Sequence, residues 1–128
     1  MTTSEDNPLD WFYLAAERLR AADSVYQHEG ITFSGIELLH EAVERYLKGY
    51  LIAKGWKLDR THDLRQLVSE AFNYDQTFSR FNDWATCLTE QFWAQHYPGD
   101  DLTDVGSDYE TLRQQAGELI ALIRTSYV

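Results

Sequence analysis

IELLHEAVERYLKGYLIAKGWKLDRTHDLRQL, residues 36–67, decides how the rest of the chain is read. Ile36, Leu39, Val43, Tyr46 and Tyr50 recur at alternating three- and four-residue spacing, which lines them up on one face of a helix with 3.6 residues per turn. Leu47 and Leu51 widen that face. An apolar arc so wide places the helix between two or more neighbours rather than over the surface of a core. Glu44 stands four residues before Lys48, the favourable order for an exposed helix pair worth about 0.3 kcal/mol. Gly55 reads as a left-handed cap, and residues 56–60 then carry the chain to Thr61, a natural N-cap. His62 and Asp63 fall in the first turn of the next helix, where Asp63 meets the positive end of the helix dipole.

Working outward, residues 1–7 are polar and read as a frayed, disordered tail, ending in an Asn7 N-cap and a first-turn Pro8. The spacing predicts a first helix over 8–27 with Phe12, Ala15, Leu19, Ala22 and Tyr26 as its core row. Gly30 punctuates a short link, so the second helix, 32–54, runs antiparallel to the first. Gly49 inside it costs about 1 kcal/mol relative to alanine, which a close helix contact would offset.

The third helix, 62–72, buries Leu64, Leu67, Val68 and Ala71. A fourth carries Phe78, Phe81, Ala85, Leu88 and Phe92 in one row and stops at Tyr97, Pro98 and Gly99, since proline cannot continue it. Trp84 and Trp93 lie off the centre of that row and support either a neighbouring helix or an intersubunit contact. Ser107 and Glu110 form a capping box for a fifth helix that buries Leu112, Ala116, Leu119, Ile123 and Tyr127. No segment alternates with a period of two. The expected fold is all-α: a single domain over 8–128, built as an antiparallel up-and-down four-helix bundle with one additional short helix.

At 128 residues the chain can bury roughly two thirds of its unfolded surface in one core. No run approaches the roughly 20 apolar residues of a membrane span, and MTTSEDNP lacks the basic-then-apolar pattern of a signal peptide, so a cytoplasmic location is expected. Cys87 is the only cysteine, which excludes an intrachain disulfide and a cysteine-built zinc site. A net charge of −10 argues against a general nucleic-acid coat. The charge is uneven, however. Arg45, Lys48, Lys54, Lys57, Arg60 and Arg65 gather in the central stretch, while Asp100, Asp101, Asp104, Asp108 and Glu110 crowd the last loop and helix start. A small anion can therefore find a local positive site.

Glu37 and His40 make one Glu-x-x-His pair, and a di-metal bundle needs two, so both read as helix-surface groups and no metal is expected. HEAVE, residues 40–44, ends in Glu44 where a zinc protease signature needs histidine. His62 reads first as part of a helix boundary and second as a proton carrier or anion ligand. Tyr97 with Pro98 reads either as a helix stop or as one wall of a nucleotide-sized groove lined by Lys48, His62 and His96.

AVERYLKGYL (42–51), THDLRQL (61–67) and WAQHYPGDD (93–101) together resemble the HEPN domain family, from about Trp11 to the end. The resemblance implies an up-and-down helical architecture. It also implies a choice of activity, because many HEPN domains are ribonucleases whose signature is an arginine four to six residues before a histidine. Arg20 stands too far before His28 and Arg60 too close before His62, and His96 replaces the arginine often found before Tyr-Pro. The resemblance thus implies a noncatalytic, nucleotide- or substrate-binding or toxin-like subunit that partners a minimal nucleotidyltransferase and pairs as a homodimer.

Lys48, His62, Asp63, His96 and Tyr97 are the expected ligand-binding residues, with a nucleotide, carried with magnesium by the acidic loop, or RNA as the ligand. Two alternatives stand beside this reading. One is an RNA-cleaving toxin using His62, Asp63 and His96. The other is a purely structural homodimer.

Overall fold

The computed structural model describes residues 2–94 and 105–127. Five helices follow in order: α1 Pro8–Glu29, α2 Phe33–Ala53, α3 Leu64–Phe72, α4 Asn82–Ala94 and α5 Val105–Tyr127, with a 3-10 turn over Gln76–Phe81 before α4. No strand occurs among the described residues, and none of their helices is long and apolar enough to cross a membrane.

Contacts between helices fix their directions. Arg18 meets Glu41 and Phe12 stacks near Tyr46, so α1 and α2 run antiparallel. Arg113 reaches Asp23 while Phe12 packs edge-on against Tyr127, so α5 runs antiparallel to α1. His40 stacks on Phe92 and Tyr50 packs on Phe78, which sets α4 and the turn before it antiparallel to α2. The result is the expected up-and-down bundle of α1, α2, α4 and α5, with α3 as the short additional helix.

α2 lies at its centre. Ile36, Leu39, Val43, Tyr46, Leu47, Tyr50 and Leu51 are all buried, as the wide apolar arc requires. Of the α1 row, Ala15 and Ala22 are fully buried, whereas Phe12, Leu19 and Tyr26 pack against the core from its edge.

Several boundaries differ from their expected places. Asp63, not Thr61, caps α3: its carboxylate accepts from the Arg65 amide at 2.9 Å, while the Thr61 hydroxyl accepts from the Asp63 amide at 3.1 Å. Both residue types cap well, and the extended backbone at Asp63 decides between them. Phe78 and Phe81 are buried as expected but sit in the 3-10 turn, whose three-residue repeat serves the same row.

Residue 107 lies inside α5 rather than at its N-cap, and the Glu110 carboxylate accepts from the Tyr26 hydroxyl of α1 at 2.6 Å. Trp84 is buried and its indole donates to the Leu112 carbonyl at 3.0 Å, tying α4 to α5 rather than to another subunit. The expected stop at Tyr97, Pro98 and Gly99 lies outside the described residues.

At Gly49 the side chains of α1 press directly on the α2 backbone. A Cβ there would stand 2.7 Å from Phe12 Cε1 and 2.9 Å from Trp11 Cβ, the second of which cannot move without its backbone. Gly49→Ala gains about 1 kcal/mol of helix propensity. Overpacking of such a contact costs about 1–3 kcal/mol, and the short distances put this case at the upper end. Net destabilisation is therefore expected, read as a lower urea midpoint with an unchanged slope. A midpoint that rises would mean that the two helices separate freely at this point.

Candidate functional site

Three polar residues of α2, His40, Glu44 and Lys48, are buried rather than on its surface. Glu44 and Lys48 are only 7% and 4% exposed, and Lys48 Nζ donates to Glu44 Oε2 at 2.9 Å. This corrects the exposed pair expected from their spacing. Four-residue spacing brings two side chains together but does not say what covers them. Here Trp11 of α1 lies across the ammonium, with Nζ 6.0 Å from the ring centroid, and His62 covers the carboxylate.

His40 is likewise corrected from a surface group to a fully buried one, while its neighbour Glu37 is exposed. Its ring stacks on Phe92 with centroids 4.0 Å apart and planes at 18°. Neither ring nitrogen has a hydrogen-bond partner, and Nδ1 lies 3.8 Å from Glu44 Oε1. Burial, opposed in part by the Glu44 charge, pushes its pKa down to about 4 and keeps the ring neutral.

His62 leaves the loop two residues before α3, with a side chain 63% exposed. Its Nδ1 lies 3.0 and 3.1 Å from the two Glu44 oxygens. An ionised carboxylate only accepts, so Nδ1 carries the proton and Nε2 is left for the solvent side, as an acceptor in the neutral ring and a donor in the charged one. A carboxylate behind an imidazole fixes both tautomer and ring plane. Lys48, Glu44 and His62 thus form a chain from the buried interior of the bundle to its surface.

That chain opens into a cleft of about 250 Å³ lined by Glu41, Glu44, Arg45, His62, Phe92 and Trp93. The volume is just below the roughly 300 Å³ at which small-molecule pockets begin, enough for one base or one phosphate group. Arg45 lies against Glu41, 3.8 Å from its carboxylate and 3.4 Å from its carbonyl, and Arg18 holds the same carboxylate at 3.2 Å. Around the cleft, Arg18, Arg45 and Lys48 stand against Glu41 and Glu44. Arg18 also pairs with Glu17 at 3.1 Å, so the charges around the cleft balance, in contrast to the acidic whole.

Of the expected site residues, His62 faces the cleft, Lys48 lies behind it with its charge taken up by Glu44, and Asp63 is turned to Arg65. Hydrogen bonding from Arg65 holds the Asp63 carboxyl below its ordinary range. His96 and Tyr97 lie outside the described residues, as does the acidic loop expected to carry magnesium. Glu41, Glu44, Arg45, Phe92 and Trp93 enter the cleft without having been expected there. Arg45 had a signal, being the cation next to Glu44 on the edge of the apolar arc. Among the described residues, no group of three or more histidine, cysteine or acidic side chains is disposed to hold a metal ion.

A family model described as the HEPN domain matches residues 9–126. No curated protein and no solved structure shows a significant match.

Proposed function

The chain belongs to the HEPN domain family, and from that premise we propose that it is a noncatalytic binding subunit that holds a nucleotide or another phosphate-bearing group for a minimal nucleotidyltransferase partner. One observation carries this reading: the His62 imidazole is fixed by a buried Glu44–Lys48 pair at the mouth of a cleft that also holds the Arg45 guanidinium. A fixed imidazole in its charged form, with Nε2 as donor, and a planar guanidinium are suited to a phosphate, which accepts from both. Phe92 and Trp93 supply an apolar wall for a base or sugar. The missing arginine-histidine signature supports binding without cleavage.

Calorimetric titration with AMP and ATP tests the proposal. Arg45→Ala and His62→Ala are each expected to weaken binding about tenfold, the effect of losing one charge-assisted hydrogen bond of about 1.5 kcal/mol. No heat from the wild type at millimolar ligand, or equal affinity in wild type and Arg45→Ala, would remove the cleft as a nucleotide site.

A second reading, an RNA-cleaving enzyme, draws on the same pair, since an imidazole with a carboxylate on Nδ1 is oriented to accept a proton through Nε2. The catalytic set would then be Glu44 and His62, with Asp63 committed to Arg65. Incubation of the pure chain with labelled RNA separates the readings. Intact RNA is expected, and metal-independent cleavage lost in both His62→Ala and Glu44→Gln would favour the enzyme.

A further inference from the structure

Residues 2–7, expected as a frayed tail, lie against the body of the bundle as a strap. Arg60 Nη2 stands 2.9 Å from both carboxylate oxygens of Glu5, the Trp11 indole donates to the Glu5 carbonyl at 2.8 Å, and the Ser4 amide donates to Asp10 at 2.9 Å. The anchor on the body is the loop after the Gly55 cap, whose φ of 92° turns the chain sharply out of α2. Between strap and loop lies a cavity of about 470 Å³, nearly twice the cleft at His62. Glu5 and Asp6 line one side, and Trp56, Lys57, Leu58 and Arg60 line the other. The strap engages only part of this wall, because Lys57 has no ion-pair partner among the described residues.

We infer that this groove is a docking site for an acidic segment of a partner polypeptide, and that the strap is the chain's own stand-in for that segment. Three features carry it. The wall offers two cations beside apolar surface, complementary to carboxylates spaced along a peptide. The strap is also held beside the groove by a main-chain carbonyl, that of Glu5, which accepts from the Trp11 indole, and a polypeptide has that group where a sugar-phosphate backbone lacks it. The strap is easily displaced, because Arg60 and Glu5 are 77% and 54% exposed and exposed ion pairs hold weakly. A partner with more carboxylates or a longer apolar contact therefore exchanges for the strap without disturbing the core. The groove shares no lining residue with the His62 cleft.

The test follows the Trp11 and Trp56 indole N–H signals of the full-length chain by NMR, while an unlabelled peptide of the strap's own sequence, TTSEDN, is added to millimolar concentration. In the wild type the covalently held strap competes at high effective concentration. The Glu5→Gln/Asp6→Asn chain is therefore expected to bind the peptide roughly fivefold or more tightly than the wild type, and Arg60→Ala added to it is expected to remove the gain. All three substitutions lie at exposed positions, and unchanged melting temperatures verify the fold. Equal affinities in wild type and double variant, binding that survives Arg60→Ala, or no saturable shift in the double variant would overturn the inference. So would a single-stranded oligonucleotide of equal charge shifting the same signals at lower concentration than the peptide.

Discussion

Glu44→Ala is expected to lower the unfolding free energy by about 3–5 kcal/mol, an order of magnitude more than an exposed helix pair could account for. The reason lies in what remains. Lys48 is 4% exposed, with Trp11 over its ammonium and Glu44 Oε2 at 2.9 Å as its only charged partner at hydrogen-bonding distance among the described residues. Without the carboxylate, the ammonium must lose its proton, draw water in, or break the α1–α2 contact to reach solvent, and each route costs several kcal/mol. Removing both charges together should cost far less. Glu44→Leu/Lys48→Met replaces the pair with apolar side chains of similar length, and such exchanges are often neutral or stabilising.

Urea unfolding of Glu44→Leu, Lys48→Met and the double would therefore show strong non-additivity. The same series reads the site, because His62 loses the acceptor that orients it in both Glu44 variants. Near-additive losses below about 1 kcal/mol would mean that the pair is solvated and that its hold on His62 is loose.

The helical architecture was legible because the apolar residues of α2 repeat at helical spacing over an arc too wide for a surface helix. Gly49 shows the same legibility one level up, since an unfavourable residue inside that pattern marked a close approach, and Trp11 and Phe12 supply it. Local motifs were less reliable. Thr61 and Asp63 are equally good caps on paper, and Glu110, expected to serve its own helix start, meets a tyrosine 84 residues earlier in the chain.

The site was legible at His62 but not behind it, because the Glu44–His62 bond joins residues 18 apart across a loop whose path no spacing specifies. His40 was readable in principle. It stands four residues after Ile36 and three before Val43, inside the apolar arc rather than opposite it. The Glu-x-x-His spacing drew attention to its chemistry and away from its place in the core.

That place gives His40 a measurable signature in pH. Its pKa is about 4 in the folded chain against 6.5 for a solvent-exposed imidazole, because burial beside Phe92 penalises the imidazolium more than Glu44 at 3.8 Å favours it. Between those two values the unfolded chain binds the proton and the folded chain does not, so stability falls as pH falls. The contribution is complete above pH 6.5, is reduced by about 2 kcal/mol at pH 5, and is reduced by about 3 kcal/mol at pH 4.

Asp63 and Asp75, whose carboxyls are held below their ordinary value of 3.8, lose their contributions only below that value, so the two kinds of group act in different windows. His40→Leu keeps a similar volume and removes both unpartnered nitrogens, which should leave stability at pH 7 within about 1.5 kcal/mol of the wild type. Urea unfolding of both chains at pH 7, 6, 5 and 4 is the measurement. The wild type should weaken steadily across the series while His40→Leu stays nearly level until the carboxylates titrate. Parallel losses in the two chains would mean that His40 takes up its proton inside the folded bundle, with the imidazolium paired to Glu44.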